Sequence, residues 1–548
     1  MLIALSLCFC VSVNASAAAD TQQIQLALPS PLAQLLAQLP KSSFKEKAVI
    51  VAELEAAGKQ QALPALKALL AGKLYYSKAD SQQVLGVSEL ADEGYTLTDL
   101  LSAQTVTTVT KTELKKHYKK VRTNNKLRKL LRTTIARSAL SYGDKESRMD
   151  ALNAMLANLD ATSVALIREL RDRETSSNVQ QLMDVALAIH TLGSSADHTQ
   201  LLAAVNTLKG RLELPVKAAL NELVERYADE ISYRLVVKAA QKSLKSIEQK
   251  TGFFNFVEKL FFGLSLGSVL LLAAIGLAIT FGVMGVINMA HGEMIMLGAY
   301  TTYVVQLVMP NFIDYSLWVA IPAAFMVSGL VGIAIQRLVI RHLNGRPLET
   351  LLATFGISLI LQQAVRSIFS PLNRQVSSPE WMSGALELNP VLSLTYNRLY
   401  ILAFSLLVFV ALILIIKKTS LGLNVRAVSQ NRAMAKAMGV RTEWVDAMTF
   451  GLGSGVAGVA GVALSQLTNV GPNLGQAYII DSFMVVVFGG VGNLLGTLVG
   501  AFSLGVANKF MEPVTGAVLA NILVLVFIIL FIQKRPKGLF PQKGRAAE

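Results

Sequence analysis

Residues 260–309 form a run of about fifty nearly uninterrupted apolar residues, whereas one helix needs only about twenty to cross a bilayer. The run therefore reads as two spans joined by a tight break. The break carries polar groups, Asn288, His291, Gly292 and Glu293. A charged side chain at mid-bilayer costs about 2.5–3.5 kcal/mol even on the mildest scales, so these groups should face protein or a water-filled path. A chain organised around such a stretch belongs in a membrane, as a transporter or channel subunit.

Composition agrees, and it is split. The 548 residues are 53% hydrophobic, and mean hydropathy is +0.48. Up to about residue 250 the sequence is charged and helix-like; beyond it the sequence is membrane-like. Net charge is +7 for residues 1–250 and +8 for 251–548. A pI near 9.6 would suit a nucleic-acid binder. The basic residues of the second half sit instead where membrane topology wants them, so nucleic acid is not an expected partner.

The only cysteines, Cys8 and Cys10, lie in an apolar run over 2–13 that is followed by small residues. This pattern predicts a signal peptide over 1–19, although no Lys or Arg precedes the apolar run; the alternative is an uncleaved anchor. Cleavage near Ala19 would leave a mature chain without thiol chemistry. Either way residues 20–250 are expected to be exported, ahead of a permease-like domain over 251–548.

Within 20–250, apolar residues recur every three or four positions. They predict helices over 31–39, 44–57, 60–70, 148–159, 161–171, 179–192, 198–208 and 215–227. The spacing of the five helices over 148–227 resembles a short helical-repeat stack without a strict period. Residues 73–78 and 83–87 alternate weakly and are expected to pair as one small hairpin. Residues 111–132 carry ten Lys or Arg against Glu113 alone. As a helix they would present a basic face, either docking an acidic partner or simply solvated. His117, His190 and His198 are scattered. No metal cluster, nucleophile–base pair or cofactor motif stands out, and residues 231–250 should lead helically into the membrane.

Spans are expected at 258–281, 294–309, 316–335, 348–370, 399–416, 445–467 and 514–531. Residues 479–508 form two short apolar runs around Gly489, Gly490, Gly492 and Asn493. Fourteen of the nineteen basic residues after 250 follow the third and fifth spans or end the chain. Placing them in the cytoplasm puts 20–250 outside. The C-terminus then returns inside only if 479–508 enters and leaves on one side, as two short or re-entrant helices. The fold class is all-α, a polytopic membrane domain with broken glycine-rich helices behind a mainly helical exported domain.

Three stretches carry a family resemblance. GLAITFGVMGVINMAHGEMIMLGAY (276–300) resembles the first-helix signature of bacterial ABC-importer permeases of the branched-chain amino acid type. VVVFGGVGNLLGTLVGAF (485–502) is similar to that family's late glycine-rich segment, and LGLNVRAVSQNRAMAKAMGV (421–440) to its cytoplasmic coupling loop. The resemblance covers 254–541. Within the family the long exported extension, with TNNKLRKLL at 123–131, resembles the urea-type subunit. The resemblance implies a second permease subunit, two ATPase subunits and a periplasmic substrate-binding protein at the bacterial inner membrane, among membrane lipids.

Residues 426–440 read as one short helix ending at Gly439. Met434, Ala437 and Met438 give it a soft apolar face suited to a groove in another protein, ringed by Arg426, Arg432 and Lys436. Ala433 stands where the family often has Glu, which leaves a specific ion pair with the ATPase unsupported. The alternative is an ordinary basic loop. No GxxxxGK[ST] occurs, so energy must come from partner subunits, and the chain itself reads as non-catalytic.

Candidate path residues are Asn288, His291 and Glu293 at the break, and Thr354, Ser358, Gln362 and Gln363 in the fourth span. Amide and hydroxyl groups match a small neutral planar solute such as urea. The competing readings are helix-break capping, a branched-chain amino acid as substrate, and a passive channel with an exported sensory domain. Asp481 reads as a helix cap.

Overall fold

The computed structural model describes residues 31–540, apart from 59–60, 90–93, 103, 158 and 344. The expected signal peptide over 1–19 lies outside the described residues. Two compact units divide the chain between Leu182 and Met183, and each is taken by itself.

The first unit opens with α1 (Pro31–Gln38), α2 (Phe44–Gly58) and α3 (Leu63–Ala71). Their stripes of Leu39, Val51, Leu54, Leu66 and Leu69 meet Leu74 and Leu131 in one core. The expected hairpin forms from β1 (Leu74–Ser77) and β2 (Val84–Glu89), but it belongs to a larger sheet. Adding β3 (Gly94–Thr98), β4 (Thr105–Thr110) and β5 (Tyr118–Lys120) makes five antiparallel strands in the order β4-β3-β2-β1-β5. The missed strands are rich in Thr, Tyr and Val, which favour a pleated surface.

The basic stretch over 111–132 is not one helix. It is α4 (Lys111–His117), then β5, then the start of α5 (Asn125–Tyr142). Thr110 caps α4 in a reciprocal box with Glu113, and Asn124 caps α5 by accepting from the Leu127 N–H at 2.7 Å. Two caps fourteen residues apart divide the segment, because each supplies an acceptor for N–H groups that a continuous helix would have bonded internally. Then α6 (Lys145–Leu156), α7 (Ala161–Arg171) and α8 (Ser177–Ser194) follow, α8 containing the division between units.

In the second unit α9 (His198–Thr207) and α10 (Leu214–Arg226) pack on the start of α11 (Arg234–Met284), a single helix of 51 residues. Then come α12 (His291–Val308), α13 (Ile313–Leu338), α14 (Pro347–Phe369), a hairpin of β6 (Ala385–Asn389) and β7 (Leu392–Thr395), and α15 (Tyr396–Lys418). After α16 (Ser420–Gln430) and α17 (Arg432–Ala437), α18 (Thr442–Ser465) is buried along nearly its whole length, surrounded by α11, α12 and α13. The chain ends with α19 (Leu474–Gly489), α20 (Leu494–Thr515) and α21 (Ala517–Lys534). Among the described residues seven helices are long and apolar enough to cross a membrane: α11, α13, α14, α15, α18, α20 and α21. The membrane part is an all-α polytopic domain.

The glycine-rich pair is longer than expected. Its arms are 16 and 22 residues, so at 1.5 Å per residue they reach about 24 and 33 Å. Gly475 extends the first arm because it packs on the backbone of Gly292. The start of α19 lies near the 370–376 segment, where Arg366 donates to Asn473 at 2.8 Å and Arg374 pairs with Val470. The turn after Gly489 lies at the opposite end, against the tail after α21. There Leu539 N–H donates to Phe488 O at 2.9 Å, Phe540 N–H to Gly489 O at 3.1 Å, and Asn493 Nδ2 to Phe540 O at 3.3 Å. Gly490 (φ 107°) and Gly492 (φ 78°) occupy backbone conformations that other residues rarely adopt. The pair therefore turns back on itself, with its turn at the far end of the bundle. The last span begins at Ala517, after a break at Gly516 (φ 81°), and not at 514.

Candidate functional site

The break between α11 and α12 places helix ends at two depths. α11 stops at Gly285, a left-handed cap (φ 66°). Residues 285–290 then climb back along α11, because the His291 Nε2 lies 2.8 Å from the Ala273 carbonyl oxygen. Ala273 is eleven residues before Met284, about 16 Å along the axis. Thus α12 starts in the interior of the bundle, not at its end. Non-helical backbone at that depth is tolerated only where protein or water surrounds it. The crossing is tight: a Cβ on Gly276 would meet the Gly453 carbonyl of α18 and lie 2.9 Å from the His291 ring.

This start brings Glu293 against α14. Thr354, Ser358 and Gln362 recur every four residues and so share one face of that helix. Glu293 Oε1 accepts from Ser358 Oγ at 2.9 Å and from Gln362 Nε2 at 2.7 Å. Thr354 Oγ1 accepts from the Met289 N–H at 3.2 Å, and Asn288 Oδ1 from the Ala290 N–H at 3.0 Å. All six side chains are at least 97% buried. Within the cluster Glu293 Oε2, Asn288 Nδ2 and His291 Nδ1 have no hydrogen-bond partner among the described residues. Two of the three are fixed in kind: the carboxylate oxygen accepts and the amide nitrogen donates, while the imidazole nitrogen does either according to tautomer. Capping and helix–helix bonding thus use only half of each group. Gln363, one residue on, is exposed on the other side of α14 and does not join them.

The coupling stretch differs from expectation. Asn431 interrupts the single helix over 426–440 by capping α17, accepting from the Met434 N–H at 2.9 Å. Arg426 stays on α16 and is exposed. Arg432 is no free surface charge: it forms a bidentate pair with Asp446 of α18, whose side chain is fully buried. Met434 and Met438 are 60% and 79% exposed, with Lys436 and Ala437 also exposed beside them. Gly439 (φ 87°) ends the turn, with Val440 N–H reaching back to Ala435 O at 3.0 Å, the pairing of a Schellman cap. Beside it a groove of about 560 Å³ is lined by Arg337, Arg341, Lys436 and Arg441.

Asp481 is not a cap. It lies two turns inside α19, and an intramembrane carboxylate inside a helix was the signal that should have marked it. The pairing of Arg432 with Asp446 left no local sign, since the partners are fourteen residues apart on different helices.

Residues 259–533 match the profile of the family described as branched-chain amino acid transport system / permease component. The high-affinity branched-chain amino acid transport system permease protein LivH of Salmonella typhimurium is 31% identical over 299 residues, covering 52% of this chain and 96% of the relative. LivH of Escherichia coli is 30% identical with the same coverage. BraD of Pseudomonas aeruginosa, also named as a branched-chain amino acid permease protein, is 29% identical over 297 residues, covering 52% and 96%. No solved structure matches.

Proposed function

The chain belongs to the permease components of branched-chain amino acid ABC transport systems, and from that premise we propose that it forms half of an importer pore that passes a branched-chain amino acid across the bacterial inner membrane. The observation that carries this reading is the interior start of α12, which sets Asn288, His291 and Glu293 against Thr354, Ser358 and Gln362 at mid-bundle. A second permease subunit completes the pore. Two ATPase subunits seat the exposed Met434–Met438 face, hydrolyse ATP and move α18 through the Arg432–Asp446 link, and a periplasmic binding protein delivers the solute. Residues 20–250 are exported and 251–548 form the permease part, in keeping with the distribution of basic residues.

Urea is the second reading, favoured by the amide and hydroxyl groups of α14. The two readings part in one experiment. Cells with and without this chain, carrying the partner subunits, are given labelled leucine or labelled urea. Uptake of leucine that depends on the chain supports the first reading. Dependence of urea uptake alone replaces it with the second.

A further inference from the structure

A second polar cavity lies away from the Glu293 cluster, between α11, α19, α20 and α21. It measures about 300 Å³, the lower end of ordinary small-ligand pockets. Along α20 it is lined by Leu504, Asn508 and Glu512, spaced four apart on one face and climbing about 12 Å away from the Gly490 turn. The lower part is aliphatic, with Leu270 and Val524 facing Leu504. The upper part is charged. Lys509 pairs with Glu512, and Asn508 with Asn521 of α21. Asp481 also lines the cavity, and no hydrogen bond or ion pair reaches its carboxylate among the described residues. Arg398 of α15 lies close enough to act electrostatically on Glu512 and Tyr478, so the two carboxylates face two cations, and Asp481 is the carboxylate without a direct ion pair among the described residues.

We propose that this cavity is a binding subsite for a zwitterionic aliphatic amino acid. The α-ammonium group sits on the Asp481 carboxylate, the α-carboxylate on the Lys509 ammonium, and the side chain on the aliphatic floor. The match is chemical. An unpaired carboxylate within a membrane bundle marks a ligand path, and the nearby cation and aliphatic wall answer the other two parts of such a molecule. Urea has neither a charge for Asp481 nor an alkyl group for the floor. With the basic loops in the cytoplasm, the charged end of the cavity faces outside, where incoming solute is received. The inference rests on the amino acid reading above.

The test uses the assembled importer in nanodiscs, with Asn521→Cys as the reporter in a chain whose Cys8 and Cys10 are replaced by Ser. Asn521 is exposed at the cavity wall, so its thiol reacts with an impermeant maleimide at a measurable rate. Leucine at ten times its Kd should slow that reaction about tenfold. Isopentylamine, isocaproate and urea at the same concentration should slow it far less. Asp481→Asn should abolish protection and leave the unprotected rate unchanged. Should that variant fail to assemble, Lys509→Met serves in its place: leucine should then protect no better than isopentylamine. Equal protection by urea, or leucine protection that survives Asp481→Asn, overturns the subsite. Leucine uptake by the unmodified importer is measured alongside. Uptake without protection overturns the subsite alone, and absence of uptake overturns the premise with it.

Discussion

Replacing Gly490 by Val should sharply reduce the yield of folded protein, and the structure supplies the size of the effect. Gly490 has φ 107° and ψ 118°, and holding a side-chain-bearing residue in such a region costs about 1–3 kcal/mol. A Cβ there would stand 2.6 Å from Phe540 O and 3.1 Å from its carbonyl carbon, an overpacking worth about 1–3 kcal/mol. If the tail moved aside, three hydrogen bonds that tie 539–540 to Phe488, Gly489 and Asn493 would be lost instead, at about 0.5–1.5 kcal/mol each. With the strain included, the first route gives about 2–6 kcal/mol and the second about 2.5–7.5 kcal/mol, against a typical net stability of about 5–15 kcal/mol. The assay is the monodisperse fraction in detergent and its thermal midpoint. Gly490→Ala is the informative partner, because it has the same φ and the same Cβ contact. It should lose most of what Val loses. Leu498→Ala, half buried on α20, should fall below the about 2–5 kcal/mol of a fully buried leucine. Wild-type behaviour of Gly490→Ala beside a damaged Val variant would show that bulk, not backbone geometry, makes glycine necessary, and the reasoning would fail.

Glu293→Ala should destabilise by about 1–3 kcal/mol for each donor left buried and unpaired, Ser358 and Gln362; Glu293→Gln keeps an acceptor oxygen, so equal melting losses for both variants would contradict this. Arg432→Ala should cost about 3 kcal/mol by stranding the buried Asp446, and Arg432→Ala with Asp446→Asn should recover part of it in the same melting assay. Met434→Asp with Met438→Asp should leave the isolated chain as stable as wild type, since both positions are exposed, and yet uncouple ATP hydrolysis from uptake in the assembled importer; normal uptake would remove this face as the ATPase contact. A reporter active only in the cytoplasm, fused after Gly143, should be silent in cells; activity there would invert the proposed topology.

Hydropathy alone located α13, α14, α15, α18 and α21 to within a few residues, because a bilayer demands about twenty apolar residues per crossing whatever the neighbours do; it read α20, which is long enough to cross, as a short arm. The four-residue spacing of Thr354, Ser358 and Gln362 likewise placed them on one face, since helical geometry is local. Local information stops there. Glu293 meets Ser358 and Gln362 across 65 and 69 positions, and only the climb of 285–290 back beside Ala273 makes that meeting. The turn at Gly490 was legible from its glycines. Its place at the far end of the bundle was decided by the length of α19, extended by the packing of Gly475 on Gly292. The hairpin of β1 and β2 was legible from its alternation; β3, β4 and β5 escaped because short strands gain their stability from partners elsewhere in the chain. Asp446 and Asp481 make the final contrast. Asp481 is an isolated acid in an apolar sequence and Asp446 follows Glu443 at the start of an apolar helix, and tertiary packing alone gave Asp446 an arginine and Asp481 a cavity.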